Sequence, residues 1–243
     1  MTIVFLHGVP DTPRVWDAVR SHLTTTQHTL ALSLPGFGSE LPDGFEATKE
    51  AYLDWLIAQL EQLDGPVHLV GHDWGAIFTT RIASVRPDLV HTWAVADGPV
   101  DPGYEWHPLA KLWQTTGQGE QFMAATDADG FAHNLGDLDV PADDARATGA
   151  AIDDRMKASI LSLYRSAADL SGEWGPDVRH AAPGGLVFWG RHDPLCPAEF
   201  AYKVGAAAQV EEIRLLDANH WVILQQPQQV AHLLEEHWAR HDA

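Results

Sequence analysis

An apolar stretch, Val67-His68-Leu69-Val70, runs straight into Gly71-His72-Asp73-Trp74-Gly75 and then into helix-forming sequence from Ile77 to Ser84. No other stretch narrows the fold as much. A buried strand that turns directly into a helix needs a turn too tight for side chains at its flanks, so both flanks are glycine. The residue between them is forced into a strained backbone conformation. Its functional group is then exposed at the carboxyl edge of a sheet.

That residue is Asp73. A carboxylate is a poor nucleophile towards esters and amides, because the mixed anhydride it would form is less stable than the substrate. It is a good nucleophile towards saturated carbon, where it forms an ordinary alkyl ester that water can then hydrolyse. The motif therefore points to an electrophilic sp3 carbon carrying a leaving group, such as an epoxide oxygen or a halide.

The 243 residues suffice for one domain with a sizeable core. With 15 Lys plus Arg against 34 Asp plus Glu, the net charge is −19, which argues against nucleic acid or an anionic membrane surface as partner. The single cysteine, Cys196, excludes an intrachain disulfide framework and fits a reducing compartment. The opening Met1-Thr2-Ile3-Val4-Phe5-Leu6 has no basic leader. No run reaches the roughly 18 apolar residues of a membrane span, so a cytoplasmic location is expected.

Strands are expected at Ile3 to Leu6, Thr29 to Leu34, Val67 to Val70, Val90 to Ala96, Gly185 to Gly190 and Glu211 to Leu216. Helical spacing appears at Trp16 to Leu23, Thr48 to Leu63 and Pro227 to Trp238. This alternation reads as a mostly parallel sheet with crossover helices. From about Val100 to Pro183 it lapses into helical patterns only: Trp106 to Thr115, Gly119 to Ala125, Ala142 to Asp154 and Lys157 to Ala168. The expected organisation is a core of 1–99 and 184–243, with a helical cap of 100–183 inserted between sheet strands. Asp73, Asp193 and His220 each fall just past the carboxyl end of an expected strand, where open α/β sheets place their chemistry.

With Gly71-His72-Asp73-Trp74-Gly75, His7-Gly8-Val9-Pro10, Gly190-Arg191-His192-Asp193 and Asn219-His220 in this order, the chain resembles the α/β-hydrolase superfamily. It looks most like the branch of epoxide hydrolases and haloalkane dehalogenases. The resemblance covers essentially the whole chain, and it implies a sheet of about six strands, since the first two strands of the family are missing. The strand at Thr29 to Leu34 then lies near an exposed edge, which invites protection or pairing with a second subunit, a homodimer.

The resemblance implies that Asp73 attacks carbon and that His220, oriented by Asp193, activates water to cleave the ester. Asp97 competes for the acid's role, because some dehalogenases place it there. The N–H groups of Val9 and Trp74 are the implied oxyanion hole, and His7 is a loop-tying histidine. Leu161-Ser162-Leu163-Tyr164-Arg165-Ser166 resembles a cap segment that carries one of two leaving-oxygen donors, so Tyr164 takes that role. His107 is the second candidate donor and Tyr104 a weaker one.

Trp74, Trp106 and Trp113 offer indole donors for a halide, but Val9 stands where many dehalogenases have Asn. No Arg follows Asp73 to hold a substrate carboxylate. The expected activity is epoxide hydrolysis to a vicinal diol. Its substrate would be small and apolar or aromatic, with water as co-substrate and with no cofactor or metal. Haloalkane dehalogenation and a non-catalytic ligand-binding role on the same scaffold are the alternatives.

Overall fold

The computed structural model describes residues 1–242. Its centre is a six-stranded sheet, parallel throughout, in the order β2-β1-β3-β4-β5-β6. The strands are β1 (Thr2–Leu6), β2 (His28–Leu32), β3 (Val67–His72), β4 (Val90–Ala96), β5 (Gly185–Gly190) and β6 (Glu212–Leu216). The four inner strands are almost wholly buried, as expected of β-branched and aromatic runs covered on both faces. The edge strands β2 and β6 are only half-buried, and β2 is an edge, as the sequence suggested.

Helices α1 (Asp17–His22), α2 (Lys49–Leu60) and α3 (Trp74–Val85) belong to the first crossovers. Between β4 and β5 lie six helices: α4 (Pro108–Gln114), α5 (Gln118–Ala125), α6 (Ala128–Gly136), α7 (Ala142–Ala151), α8 (Asp154–Ser166) and α9 (Leu170–Trp174). Helices α10 (Glu199–Ala207), α11 (Val222–Gln225) and α12 (Pro227–His241) complete the chain.

Two of the helices between β4 and β5 depart from expectation. The stretch Ala142 to Asp154 is not one helix, because Asp153 caps the next one: its side chain accepts the Met156 N–H at 2.8 Å. Helix α6 was not foreseen. Its apolar face is only Phe131 and Leu135, and Asp127 starts it by accepting the Gly130 N–H at 2.9 Å. Among the described residues no helix is long and apolar enough to cross a membrane.

The inserted helices are fastened over the carboxyl edge of the sheet. Trp106 stacks on Trp74 with ring centroids 5.7 Å apart and planes 20° apart. Lys49 N–H donates to Ser166 Oγ at 2.8 Å, and Ser162 Oγ–H to the Glu46 carbonyl at 2.7 Å. The Lys49 ammonium is buried between Glu50 and Glu173, over the Trp174 ring.

Candidate active site

Asp73 lies between β3 and α3 at φ 52°, ψ −121°, a region that few residues adopt. Sterics around it account for the neighbouring glycines. A methyl group at Gly71 would overlap the Gly75 carbonyl, and one at Gly75 would overlap the Leu6 carbonyl. The loop after β1 comes so close that a methyl at Gly8 would collide with the Asp73 carboxylate itself.

That approach lets the Val9 N–H donate to Asp73 Oδ1 at 2.7 Å. No hydrogen bond from the Trp74 N–H to this carboxylate is present among the described residues, so of the two expected oxyanion donors only Val9 is engaged in this state. His7 ties the same loop down. Its Nε2 accepts the Leu34 N–H at 3.1 Å while Nδ1–H donates to the Gly8 carbonyl at 2.8 Å. Burial holds this imidazole neutral, pushed down to about 4.

On the other side, His220 Nε2 lies 3.6 Å from Asp73 Oδ2, and His220 Nδ1 lies 2.8 Å from Asp193 Oδ2. The second Asp193 oxygen accepts the N–H groups of Leu195 and Cys196 at 2.8 and 2.9 Å. His220 and the Asp193 side chain are sealed from solvent, whereas the Asp73 side chain is 13% exposed, so the carboxylate is the member of the trio that can be reached.

Burial alone would lower the His220 imidazole, but the charge and hydrogen bond of Asp193, then Asp73, outweigh it and hold it well above its ordinary range. For Asp73 burial pulls upward. The hydrogen bond and charge of His220, with the Val9 N–H, prevail and keep it below its ordinary value. The resting arrangement is therefore an imidazolium flanked by carboxylates.

A pocket partly open to solvent reaches Asp73 and His220. Tyr164 and His107 also line it, under apolar walls that include Trp113, Phe122 and Phe131. Tyr164 projects from α8 with its ring edge-on to Trp74, Trp106 and Trp113 at 5.4, 5.3 and 4.9 Å. Burial, then the Asp73 charge, hold its hydroxyl well above the usual phenol range. His107 is the N-cap of α4, and its Nδ1 accepts the Ala110 N–H at 3.3 Å. The ring proton must then sit on Nε2. Burial, then the charge of His220, push the group down to about 4, so it is a neutral donor.

Other expected candidates are engaged elsewhere. The Tyr104 hydroxyl donates to the Leu195 carbonyl at 3.2 Å, and the Trp106 indole donates to the Ala167 carbonyl at 3.0 Å. Asp97 is fully buried behind Asp193 and does not contact His220 as Asp193 does. Ligand atoms of Asp193, Cys196 and His220 lie within 4.8 Å of one another, a set that could be read as a metal site. Both Asp193 oxygens there are already engaged, Oδ1 by the Leu195 and Cys196 N–H groups and Oδ2 by His220 Nδ1.

The sequence reading missed two buried neighbours. Asp11 accepts the Trp221 indole N–H at 3.1 Å, and burial pushes its carboxyl up to about 7. His72 Nε2–H donates to the His220 carbonyl at 2.8 Å. Position in His7-Gly8-Val9-Pro10-Asp11 and Gly71-His72-Asp73 was the available signal, but burial of these side chains was not legible.

A curated (E)-2-((N-methylformamido)methylene)succinate hydrolase from Acinetobacter baylyi is 33% identical over 97 residues, 40% of this chain and 37% of that protein. A haloalkane dehalogenase from Agrobacterium fabrum is 36% identical over 128 residues, 50% of this chain and 42% of the other. The chain thus spans about two-fifths of the length of these curated relatives. Among solved structures, a haloalkane dehalogenase from Bradyrhizobium elkani superposes with a TM-score of 0.77 at 20% identity, covering 98% of this chain and 91% of that one. A Bacillus megaterium epoxide hydrolase does so with a TM-score of 0.74 at 23% identity, covering 98% and 93%. At these identities the structural likeness speaks for the fold alone. The profile of the alpha/beta hydrolase family matches residues 3–233, the same span that carries the sheet, the elbow at Asp73 and the His220 loop. The chain belongs to the alpha/beta hydrolase family.

Proposed function

We propose that this protein hydrolyses an epoxide to a vicinal diol through a covalent ester on Asp73. The observation that carries the reading is the pairing of neutral donors, the Tyr164 hydroxyl and the His107 Nε2–H, in one pocket with the Asp73 carboxylate. Opening an epoxide creates an alkoxide that must gain a proton, whereas a halide leaves without one.

In the first step Asp73 Oδ2, the oxygen without the Val9 N–H, forms the bond to carbon. The epoxide C–O bond breaks, and its oxygen takes a proton from Tyr164 or His107. Esterification removes the Asp73 charge. Tyr164 then loses one of the influences that make it a weak acid, and His220 loses one that keeps it protonated. His220 can therefore give up its proton and act as a base when a base is needed.

In the second step water, deprotonated by His220, attacks the Asp73 carboxyl carbon. Negative charge develops on Oδ1, which already faces the Val9 N–H. The diol oxygen leaves with the proton held by His220, the new Asp73 carboxylic acid passes its proton to His220, and solvent, which took the first His220 proton, returns one to the donor. No Lys or Arg lines the pocket among the described residues, so the substrate is neutral and apolar, unlike the succinate derivative in the name of the Acinetobacter relative.

Haloalkane dehalogenation is the second reading. It draws on the buried indole N–H groups of Trp74 and Trp113, which have no hydrogen-bond acceptor among the described residues. Intact-protein mass spectrometry on His220→Gln separates the two. Removal of the base stops the sequence at the ester. The expected result is a mass gain equal to a whole epoxide, mapped to Asp73. A gain equal to the alkyl group of a bromoalkane, with nothing from epoxides, would move the assignment to dehalogenase. Tyr164→Phe should lower epoxide turnover by about 10²-fold or more and leave bromoalkane turnover unchanged. Equal loss on both substrates would deny it the proton-donor role.

A further inference from the structure

Two buried carboxyl residues, Asp97 and Asp193, meet at Gly190, whose N–H donates to the Asp97 side chain and whose carbonyl accepts the Asp193 N–H at 3.3 Å, and their donor counts differ. Asp193 receives the N–H groups of Leu195, Cys196 and His220. Asp97, at the end of β4 with φ 55°, receives one: the Gly190 N–H reaches its Oδ1 at 2.8 Å. Its Oδ2 is buried with no hydrogen-bond partner among the described residues. His72 Nε2 is 3.8 Å away, but its N–H goes to the His220 carbonyl. A buried carboxylate oxygen without a donor is costly, and a second ionised carboxylate beside it makes the cost larger.

We propose that Asp97 is a permanently protonated carboxylic acid that donates its hydrogen bond to the Asp193 carboxylate, and so is a positioning residue for His220. The groups that face it are His72 from β3, Asp193 from the loop after β5 and His220 from the loop after β6. His72 is held neutral by burial and then by the His220 charge, so it supplies no cation that would favour an ionised Asp97. Burial, then the charge of Asp193, push Asp97 well above the carboxylate range.

The arrangement has a catalytic reason. Were both acids ionised, His220 would face two negative charges from behind in addition to Asp73, and its imidazolium would be too stable to return as a base. A shared proton leaves one charge there. Asp97, the member with fewer donors and an unpartnered Oδ2, is the one that holds the proton.

Infrared spectroscopy tests this on the wild-type protein at pH 9, where Asp11, pushed up to about 7, is ionised. The expected result is a protonated-carboxyl C=O band that Asp97→Asn removes. Its absence from the wild type refutes the proposal whether or not the variant folds, and its persistence in Asp97→Asn would place the proton elsewhere. This measurement needs no substrate, so it stands apart from the epoxide reading.

Kinetics adds a second arm. Asp97→Ala leaves Asp193 without this donor and should lower kcat by about tenfold or more, whereas Asp97→Asn, whose side chain can donate N–H to Asp193 and accept from Gly190, should recover most of that loss and leave the pH profile unmoved. If Asp97 were ionised, the same substitution would remove a negative charge near His220. The acidic limb of the profile would then move down by about one pH unit or more.

Discussion

Asp73→Asn should abolish turnover, with a fall in kcat of at least about 10⁴-fold on any substrate the wild type accepts. The substitution isolates chemistry from folding better than Asp73→Ala would. Asn is among the few residues that tolerate positive φ, and Asp73 sits at 52°. The Asn carbonyl can still accept the Val9 N–H, now at 2.7 Å from Oδ1. What disappears is the charge and nucleophilicity of Oδ2. Turnover and thermal denaturation, measured together, check this. A folded Asp73→Asn protein that retains more than about a hundredth of wild-type turnover, with no deamidation back to Asp by mass spectrometry, would mean that Asp73 does not form the bond to carbon.

The difference between what was and was not legible in the sequence follows from the range of the interactions. The elbow was readable because Gly71, Asp73 and Gly75 act within one turn, and steric demands at that scale are written in adjacent residues. The order of Asp73, Asp193 and His220 was readable because each follows a strong apolar strand, and strand ends share one edge of a parallel sheet. The structure brings these three together.

Tyr104, Trp106 and His107 fall within four residues of one another, so sequence could not sort them. Only packing did: the first two groups turn to the carbonyls of Leu195 and Ala167, and the third lines the pocket. Asp97 shows the same limit. It stands after β4 as plainly as Asp193 stands after β5, but the count of N–H donors that separates a charged partner from a neutral one depends on loops distant in sequence.

Asp11→Asn should stabilise the protein at neutral and alkaline pH and leave it unchanged in acid. Asp11 is 1% exposed beside Asp73, and its carboxyl is pushed from an ordinary 3.8 up to about 7, chiefly by burial, against the Trp221 hydrogen bond. The sign follows from linkage. In the unfolded chain the group ionises near 3.8, while in the fold it holds its proton to about 7. Its contribution to stability is complete below the lower value and is lost as pH rises towards the higher one.

The span between the two values corresponds to roughly 4 kcal/mol at its upper limit. Asn cannot ionise, and its carbonyl can still accept the Trp221 indole N–H, so the variant avoids that loss. The difference in Tm between Asp11→Asn and wild type should be near zero at pH 4, grow from there to pH 7, and level off at up to about 10 °C. A variant less stable than wild type at pH 8 would show that the ionised Asp11 is stabilised by its surroundings and not opposed by its burial. The gain should also carry a functional mark. Above pH 7 the wild type carries an extra negative charge close to Asp73 and His220, so its activity profile should differ from that of Asp11→Asn on the alkaline side and coincide with it below.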